Sequence, residues 1–417
     1  MIRLLIIADD FTGALDTGVQ MAGCGAVTQV TTNVVCSFAD YADSDVLVID
    51  AETRHLAAEA AAAVVREITE RAAASGIPYL YKKTDSALRG NVGAELDAMR
   101  KASGEPRLPF LPALPQIGRT TVGGVHYIKG VPVAESVFGA DPFEPVTHSN
   151  IAELIAEQSA VPVYSIGIGE TAMDRGEGIY VFDSETQSQL AQAGKALMAD
   201  GGLHIFAGSA GFGAVLPELL DLQRDKREMP RLDEKLLVIC GSVNPITTEQ
   251  TALADQAGFA HWRLSPRQKL EPGYWQSADG AGTIQELRKL LKDEPYWIID
   301  SNDAGGNGPT ERYAAERGLT IEDVRVGISH GLGEILSALF TSPDLGTLLI
   351  TGGDTLLQCM EQLGVTELEP ICELYAGVVL SRFAYRGCSR YVLSKSGGFG
   401  QKTLLKDLRD KLRNQKN

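Results

Sequence analysis

Short apolar runs alternate with helical patterns along most of this chain. The first run, Arg3–Ala8, ends in Asp9-Asp10 and is followed by Leu15, Val19 and Ala22 at helical spacing. Further strands are predicted at 26–35, 45–50, 79–83, 161–166, 178–183, 203–207, 236–240, 297–300, 347–350 and 391–393. Helices are predicted at 57–74, 92–102 and 185–198. Repeated strand–turn–helix units predict an α/β fold with largely parallel sheets flanked by helices.

Residues 106–150 depart from this pattern. Proline recurs at Pro109, Pro112 and Pro115, which predicts an irregular or edge strand over 106–121. Gly123-Gly124 and Lys129-Gly130 predict the turns of a hairpin, and Ser149 is a candidate cap for the helix that follows.

The chain is too long for one hydrophobic core. It has 417 residues, and a charged run over 221–234, interrupted by Pro230, separates two stretches of strand–turn–helix units. We therefore predict two domains, 1–225 and 226–417, each with a largely parallel sheet. The active site is expected in the cleft between them.

Composition narrows the class of function. Hydrophobic residues make up 44% of the chain, yet no apolar run approaches the roughly 18 residues that cross a bilayer, and the N-terminus has no signal-peptide pattern. A cytoplasmic protein without a membrane partner is expected. The net charge of −16 argues against nucleic-acid binding. The six cysteines are scattered without a C-x-x-C pair, which favours buried reduced thiols.

Acids and bases follow the predicted strands of the first half. Asp9 and Asp10 follow the first strand, and Arg54 follows the strand at 45–50. Ligands of parallel sheets bind at the carboxyl ends of strands, so one of these aspartates is expected in a site and the other at a helix cap. A purely structural role for both aspartates stays open.

The densest polar cluster is Lys82-Lys83-Thr84-Asp85-Ser86, with Arg89 shortly after it. Alternate strand residues face opposite ways, so one of the two lysines is expected to enter the site. Basic groups can bind a carboxylate and aspartates can accept hydrogen bonds from hydroxyls, a mixture that suits a small polyhydroxylated acid.

Small-residue turns follow three predicted strands of the second half. They are Gly241-Ser242, Gly352-Gly353-Asp354-Thr355 and Ser396-Gly397-Gly398. Glycine lets the backbone approach a phosphate, and Lys395 could neutralise its charge. The chain has no G-x-x-x-x-G-K-[ST] motif at these turns. Tight turns without a ligand remain the alternative, as they do for Gly208–Gly213.

Several of these blocks, taken together and in order, resemble the signature blocks of the four-carbon acid sugar kinases. The blocks are 7–14, 82–91, 112–115 with 118–120, 241–245, 351–355 and 394–400. The resemblance spans essentially the whole chain. It implies an N-terminal sugar-acid-binding domain, a C-terminal nucleotide-binding domain and transfer of the ATP γ-phosphate to the terminal C4 hydroxyl of a four-carbon acid.

The resemblance also implies roles for individual residues. It implies substrate contacts for Asp10, Arg54, Lys82, Lys83, Thr84 and Asp85, and ATP contacts for Ser242, Gly352, Gly353, Asp354, Thr355, Gly397 and Gly398. The residue pattern adds Asp9 and Arg89 to the acid site and Lys395 to the nucleotide site. Asp10 or Asp85 would orient or deprotonate the hydroxyl. ATP and Mg²⁺ are the expected cofactors, without assigned metal ligands; Asp354 could bind Mg²⁺ or cap a helix.

The form of the 82–91 block favours D-threonate as substrate, although Ala87 stands where the family often has Thr. D-erythronate, 3-oxo-tetronate and 4-hydroxythreonine are alternatives. A non-catalytic sugar-acid-binding protein or sensor is the alternative from another class. A nicotinamide-dependent dehydrogenase is disfavoured because no strand is followed by G-x-G-x-x-G. The sequence leaves the oligomeric state open, a homo-oligomer included.

Overall fold

The computed structural model describes residues 1–141, 143–199, 204–225, 228–342 and 345–415. The chain divides into two compact units, Met1–Arg227 and Glu228–Asn417. The predicted domain boundary falls at residue 226, which lies outside the described residues together with residue 227. The predicted start of a strand at residue 203 also lies outside them.

The N-terminal unit alternates strands and helices. Its strands are β1 Leu4–Ala8, β2 Thr28–Thr31, β3 Val46–Asp50, β4 Tyr79–Lys83, β5 Arg107–Leu111, β6 Arg119–Val122, β7 Val125–Ile128, β8 Val131–Pro132, β9 Val163–Ile166, β10 Gly178–Phe182 and β11 Ile205–Gly208. Its α-helices are α1 Phe11–Gly23, α2 Ala58–Ala74, α3 Val92–Ser103, α4 Ile151–Ala156, α5 Gln187–Ala199, α6 Ala210–Gly213 and α7 Leu216–Leu219. Short 3₁₀ turns cover Phe38–Tyr41, Pro115–Ile117 and Val133–Glu135.

The N-terminal strands form a parallel sheet in the order β2-β3-β1-β4-β11-β5-β10-β9. Strands β1 and β3 are buried at every position, as expected for a sheet covered on both faces. The predicted α/β organisation is confirmed for this unit.

Strand β5 corrects the prediction of an edge or irregular strand at 106–121. It lies inside the sheet, between β11 and β10. Strand β11 pairs with β5 only through Phe110 and Leu111, so Pro109 does not have to donate a hydrogen bond to β11. The predicted turns at Gly123-Gly124 and Lys129-Gly130 are present and connect β6, β7 and β8 into a small antiparallel meander.

Two local predictions in this unit are wrong. Asn150, not Ser149, caps α4, because its side chain accepts hydrogen bonds from the backbone of Ala152 and Glu153. Ser149 Oγ instead accepts from the Ala134 N–H at 3.0 Å. The strand predicted over 26–35 covers only Thr28–Thr31.

The C-terminal unit has the strands β12 Leu236–Cys240, β13 Ala260–Arg263, β14 Tyr296–Asp300, β15 Thr347–Thr351, β16 Glu367–Tyr375, β17 Val378–Tyr385 and β18 Cys388–Lys395. Its α-helices are α8 Pro245–Gln256, α9 Pro266–Leu270, α10 Ala278–Asp293, α11 Gly308–Glu316, α12 Ile321–Leu339, α13 Gly353–Gln362 and α14 Leu404–Asn414, with a 3₁₀ turn at Tyr274–Gln276.

The C-terminal strands are ordered β13-β14-β12-β15-β18 in parallel, and β17 and β16 continue the sheet antiparallel. The predicted parallel α/β sheet is confirmed, but β13, β16 and β17 were not predicted from the sequence. Strands β16 and β17 contain charged residues, as at Glu369 and Arg382, so they lack the continuous apolar run of a buried parallel strand.

The two units repeat one winding pattern. In the N-terminal sheet β1 lies between β3 and β4, with β2 outside β3. In the C-terminal sheet β12 lies between β14 and β15, with β13 outside β14. The chain therefore reverses its direction of winding at β1/β4 and at β12/β15. Such switch points are where parallel α/β sheets bind ligands.

Among the described residues, no helix has both the length and the apolar content needed to span a bilayer.

Candidate functional site

Arg54 is held by both aspartates at the end of β1. Its Nε and Nη2 contact Asp9 Oδ2 at 2.8 Å, and its Nη1 and Nη2 contact Asp10 at 2.9 and 2.8 Å. Asp10 also caps α1 by accepting from the Gly13 N–H at 3.0 Å. The expected helix cap by one of the two aspartates is confirmed for Asp10, while the Arg54 guanidinium bridges both carboxylates.

The backbone near Arg54 fixes its direction. The N–H groups of Thr53 and Arg54 donate to the Asp9 carbonyl at 3.1 and 3.2 Å, and Asn91 Nδ2 donates to the Thr53 carbonyl at 2.9 Å. Gly90 has φ +83°, and a Cβ there would lie 3.1 Å from Arg54 Cγ. A glycine at this position therefore lets the turn after β4 pack against Arg54.

The pKa of Asp9 is lowered by nearby positive charges more than it is raised by burial. Burial would raise the pKa of this carboxyl, but Arg54 and then Lys83 and Lys82 lower it below its ordinary value. The same pairing raises the pKa of Arg54 despite its burial, through Asp10 and Asp9. Asp9 and Arg54 are thus a charged pair beneath the site. The Asp10 side chain keeps 23% of its surface exposed, against 3% for Asp9, so Asp10 is the more accessible acid.

The two lysines at the end of β4 face opposite ways, as the strand alternation predicts. Lys82 is fully buried and its Nζ pairs with Glu95 Oε2 of α3 at 3.1 Å. Lys83 is also buried, but its Nζ has no ion pair or hydrogen bond within the part of the chain that the structure describes. A Cβ on Gly13 would lie 2.7 Å from Lys83 Nζ, so this amine lies against the first turn of α1, beside Asp10.

Asp85 is bound by Arg89 in a bidentate pair. Arg89 Nε contacts Asp85 Oδ2 at 2.8 Å and Arg89 Nη2 contacts Oδ1 at 3.2 Å, while Arg89 Nη1 reaches Asp141 at 3.3 Å. Arg54 Nη2 lies 3.9 Å from Asp85 Oδ1 and so connects the two acid clusters. Burial opposes ionisation, but Arg89 and Arg54 hold the pKa of Asp85 well below its usual value.

Residues of the β6–β8 meander complete this cluster, and the predicted site residues did not include them. His126 Nε2 lies 2.9 Å from the Ser86 carbonyl, and burial lowers the pKa of His126 to about 4. Arg119 Nη1 donates to Ser86 Oγ. The guanidinium groups of Arg89 and Arg119 lie 5.3 and 4.9 Å from the Phe138 ring centre. The signal for Arg119 was its place in the block 118–120.

Buried polar atoms without partners lie in the same segments. Asp9 Oδ1 and Thr84 Oγ1 have no hydrogen-bond partner among the described residues. Below them, burial and then the nearby Glu52 carboxylate raise the pKa of Asp50 well above its ordinary value, which favours its protonated form. Unpaired buried polar groups are costly unless a ligand or water meets them. The predicted site residues from Asp9 to Arg89 thus form one cluster with unused hydrogen-bonding capacity.

The three glycine turns of the C-terminal unit also lie together. A Cβ on Gly241 would overlap Thr355 Oγ1, and a Cβ on Gly397 would lie 2.5 Å from Ser242 Oγ. The Gly352 N–H donates to the Lys395 carbonyl at 3.1 Å. Gly352 has φ +102°, a conformation that a residue with a side chain rarely adopts. These turns follow β12, β15 and β18, which are neighbours in the sheet.

Lys395 lies beneath these turns. Its Nζ donates to Thr247 Oγ1 at 3.0 Å and to the carbonyls of Ser396 and Gly397 at 3.1 and 3.2 Å. Burial lowers the pKa of Lys395 to about 8. The amine therefore holds the glycine turn in shape and retains a proton at neutral pH.

A second network supports Ser242 from β14. The carboxylate of Asp300 accepts from the Asn302 N–H at 2.9 Å and from its Nδ2 at 2.8 Å, and Nδ2 also donates to the Ser242 carbonyl at 3.1 Å. His261 Nε2 contacts the other oxygen of Asp300 at 3.1 Å. This support was not predicted from the sequence because His261 lies in β13, whereas Asp300 and Asn302 lie at or just after the end of β14.

Helix α13 begins at the centre of the turns. Its cap residue is Gly352, which has no side chain, so the helix has no side-chain cap. Asp354 lies in that first turn and pairs with Arg325 of α12. Its side chain is not the helix cap that one reading of the sequence predicted. Free N–H groups at the start of a ten-residue helix fit a phosphate.

Within the described ranges, no group of three or more His, Cys, Asp or Glu side chains could hold a metal ion. A Mg²⁺ ion bound mainly by phosphate oxygens and water needs no such cage.

Comparisons with known proteins assign a description to each half. Residues 4–216 match the model of a sugar-binding N-terminal domain, and residues 237–405 match that of a nucleotide-binding C-terminal domain. A solved structure described as a putative tRNA synthase from Salmonella typhimurium LT2 superposes with a TM-score of 0.79, at 20% identity, over 98% of this chain and 99% of that one. At this identity the likeness establishes the fold alone.

Curated relatives are similar over nearly their full length. D-threonate kinase of Salmonella typhimurium is 30% identical over 97% of both chains. D-threonate kinase of Bordetella bronchiseptica is 30% identical over 96% of this chain and 95% of its own. Proteins named D-erythronate kinase and 3-oxo-tetronate kinase match at 27% and 26% identity. With both domain models matched and this coverage, the chain belongs to the four-carbon acid sugar kinase family.

Proposed function

We propose that this protein transfers the γ-phosphate of ATP to the C4 hydroxyl of a four-carbon sugar acid, with D-threonate as the first candidate. The observation that supports the proposal is that one chain contains two switch points suited to bind ligands, β1/β4 and β12/β15. One is lined by acids and bases, and the other by glycine turns. The names of the relatives favour D-threonate over D-erythronate and 3-oxo-tetronate.

In the N-terminal unit, Asp10 is the residue that we propose to orient the reacting hydroxyl. It is the most accessible of the three clustered acids, and its carboxylate is fixed by Arg54 and the start of α1. Asp85 is a poorer candidate because its side chain is only 9% exposed and, despite burial, Arg89 and Arg54 hold its pKa well below the usual value. Phosphoryl transfer depends mainly on positioning and charge, so a strong base is not needed.

Lys83 and Lys82 have separate roles in this proposal. The amine of Lys83, which has no ion pair among the described residues and lies beside Asp10, would stabilise negative charge near the reacting hydroxyl. Lys82 forms a buried ion pair with Glu95, and we propose that this pair stabilises the fold. Thr84 Oγ1 and Asp9 Oδ1 would meet substrate hydroxyls, since both lack partners in the described chain.

In the C-terminal unit, Ser242, Gly352, Gly353, Thr355, Gly397 and Gly398 would hold the phosphates of ATP. The first turn of α13 would supply N–H donors, and the Lys395 amine would hold the turn at 396–398. Mg²⁺, when bound with ATP, would neutralise the charge of the phosphates. Asp354 remains a candidate for an outer contact to the ion, with Arg325 as its competitor.

A coupled assay of ADP release tests the proposal. Mg·ATP is offered with D-threonate, D-erythronate, 3-oxo-tetronate and 4-hydroxythreonine, and the product is examined by ³¹P NMR. We expect the highest kcat/KM with D-threonate and a phosphate monoester at C4. A sugar-acid sensor would bind the acid without releasing ADP from any pair. Because the reaction consumes ATP, we propose that it occurs in the cytoplasm.

A further inference from the structure

Arg119 differs from the other arginines of the acid site in its charge pairing. Arg54 is paired with Asp9 and Asp10, and Arg89 with Asp85 and Asp141. Within the described residues Arg119 has no ion pair. Its contacts there are one hydrogen bond from Nη1 to Ser86 Oγ and the face of Phe138. A guanidinium has five N–H donors, so most of the donors of Arg119 are unused.

The position of Arg119 is fixed although no carboxylate of the described residues forms a direct ion pair with it; Asp85 is the nearby acid that acts on its charge. It is the first residue of β6, and its carbonyl accepts from the Leu114 N–H at 2.8 Å. His126 Nε2, which lies 2.9 Å from the Ser86 carbonyl, attaches the meander to the turn after β4. Within the meander, Thr121 Oγ1 lies 3.0 Å from His126 Nδ1 and holds that ring in place. Phe138 stacks under the guanidinium. A half-buried, oriented guanidinium without a direct ion pair among the described residues is suited to bind an anion.

We propose that Arg119 binds the carboxylate of the four-carbon substrate and gives the enzyme its preference for sugar acids over neutral polyols. The inference rests on the proposed function, which it deepens by assigning the carboxylate to one residue. Arg54, which bridges Asp9 and Asp10, is left as the residue that positions those two acids.

Lys83, the second cation without an ion pair in the described part of the chain, then sets the direction of the substrate. Lys83 Nζ lies beside the first turn of α1 and Asp10, whereas Arg119 lies beside Ser86 in the turn after β4. A four-carbon acid with its carboxylate on Arg119 would direct its far end toward Asp10 and Lys83. That end carries the C4 hydroxyl, which is the acceptor in the proposed reaction.

The test compares D-threonate with D-threitol, in which the carboxylate is replaced by a neutral hydroxymethyl group. ADP release is measured for wild type, Arg119→Met and Arg119→Lys. Truncation of one partner of a charge pair costs about 30-fold or more in binding. We therefore expect Arg119→Met to lower kcat/KM for D-threonate by about that factor, mainly through KM, and to leave the rate with D-threitol within about twofold. Arg119→Lys keeps the charge but loses the fork of donors, so an intermediate loss is expected.

Arg107→Met is the matched control, since Arg107 is exposed and donates to the Met173 carbonyl in the same unit. It should change neither substrate's rate. Equal losses for D-threonate and D-threitol in Arg119→Met would show a purely structural role and overturn the proposal. An unchanged KM for D-threonate would overturn it as well. If Arg119→Met does not fold, Arg119→Lys and Ser86→Ala replace it; Ser86→Ala removes the hydroxyl that accepts from Arg119. For these variants too, a larger loss of kcat/KM with D-threonate than with D-threitol supports the proposal, and equal losses overturn it.

Calorimetric titration with D-threonate separates this inference from the proposed function. If wild type binds D-threonate but releases no ADP with any acid, the kinase proposal fails while the Arg119 inference is still decided by binding. Loss of binding in Arg119→Met then supports the inference. Unchanged binding in Arg119→Met, or no binding of D-threonate to wild type, overturns it.

Discussion

The two switch points occupy the same place in the winding of their sheets but have opposite chemistry. At β1/β4 the groups are charged side chains, with three carboxylates and two arginines in contact. At β12/β15 they are glycines, hydroxyls and the start of α13, with Lys395 beneath. The shared winding determines where a ligand can bind, and the residues of the turns determine which ligand binds there.

Each chemistry suits a different anion. A small acid with several hydroxyls needs directional side chains that distinguish a carboxylate from a hydroxyl. A chain of phosphates needs many donors at close range, which backbone N–H groups supply once side chains are absent. The charged site therefore needs internal pairing to stay folded, whereas the glycine site needs free space.

The largest effect is expected at the charged site, from Asp10→Asn. The substitution removes the accepting carboxylate while keeping the size of the side chain, so kcat should fall by about 10²–10⁴ with D-threonate. Steady-state ADP release measures it. Asp45→Asn, which breaks a pair with Arg224 in the same unit, serves as control and should leave kcat unchanged. A near-wild-type kcat for Asp10→Asn, with Asp85→Asn impaired instead, would move the orienting role to Asp85.

At the glycine site, Gly241→Ala should act only through a steric clash, because it adds one methyl group and no charge. The new Cβ would overlap Thr355 Oγ1, so the turns after β12 and β15 must separate. We expect the KM for Mg·ATP to rise by about tenfold or more, since oriented donors lose their alignment. Gly282→Ala in α10, where a Cβ meets nothing within 4 Å, is the control and should be neutral or slightly stabilising. An unchanged KM for Mg·ATP would remove these turns from the nucleotide site.

The buried pair Lys82–Glu95 belongs to the charged site, but we expect it to stabilise the fold and not to bind the substrate. Removal of one partner leaves a buried charge, so Lys82→Met should lower the free energy of unfolding by about 3–5 kcal/mol. The double variant Lys82→Met/Glu95→Gln should recover much of this loss, because no charge is then left unpaired. Urea denaturation measures both. A Lys82→Met variant of normal stability with impaired KM for D-threonate would instead make Lys82 a substrate contact.

Lys395 should give the glycine site a pH dependence. Its pKa of about 8 lies below that of an unfolded lysine, so the unfolded chain binds more protons between pH 8 and the ordinary lysine value. Stability should therefore rise with pH across that window, and Lys395→Met should abolish the rise. Lys395 also loses its positive charge near the phosphates as the pH rises, so the KM for Mg·ATP should increase above pH 8. A KM that is flat through this range would exclude an electrostatic role.

The smallest effect is expected for Asp354→Asn. This acid is part-exposed and paired with Arg325, so its loss should change the free energy of unfolding by no more than about 1 kcal/mol. A titration of Mg²⁺ at fixed ATP distinguishes the two roles of Asp354. An unchanged Mg²⁺ requirement supports the ion pair, and a requirement raised by about tenfold or more would make Asp354 a metal contact.

Sequence reasoning recovered what strand–turn–helix patterning dictates. The strands β1, β3, β4, β12 and β15 and the polar residues after them were predicted, because buried parallel strands are continuous apolar runs. The missed features depend on distant pairing. Asp9 and Asp10 both face Arg54 since one guanidinium bridges them, Lys82 meets Glu95 of another element, and Arg119 reaches Ser86 across an inserted meander. No local pattern encodes these contacts.

The most direct test of the central claim is a double dissociation by calorimetry. D-threonate and a non-hydrolysable Mg·ATP analogue are titrated separately into wild type, Arg119→Met and Gly241→Ala. We predict that Arg119→Met loses affinity for D-threonate and keeps its affinity for the nucleotide, and that Gly241→Ala shows the reverse. Loss of D-threonate binding in Gly241→Ala together with nucleotide loss in Arg119→Met would contradict the assignment of the two ligands to the two switch points.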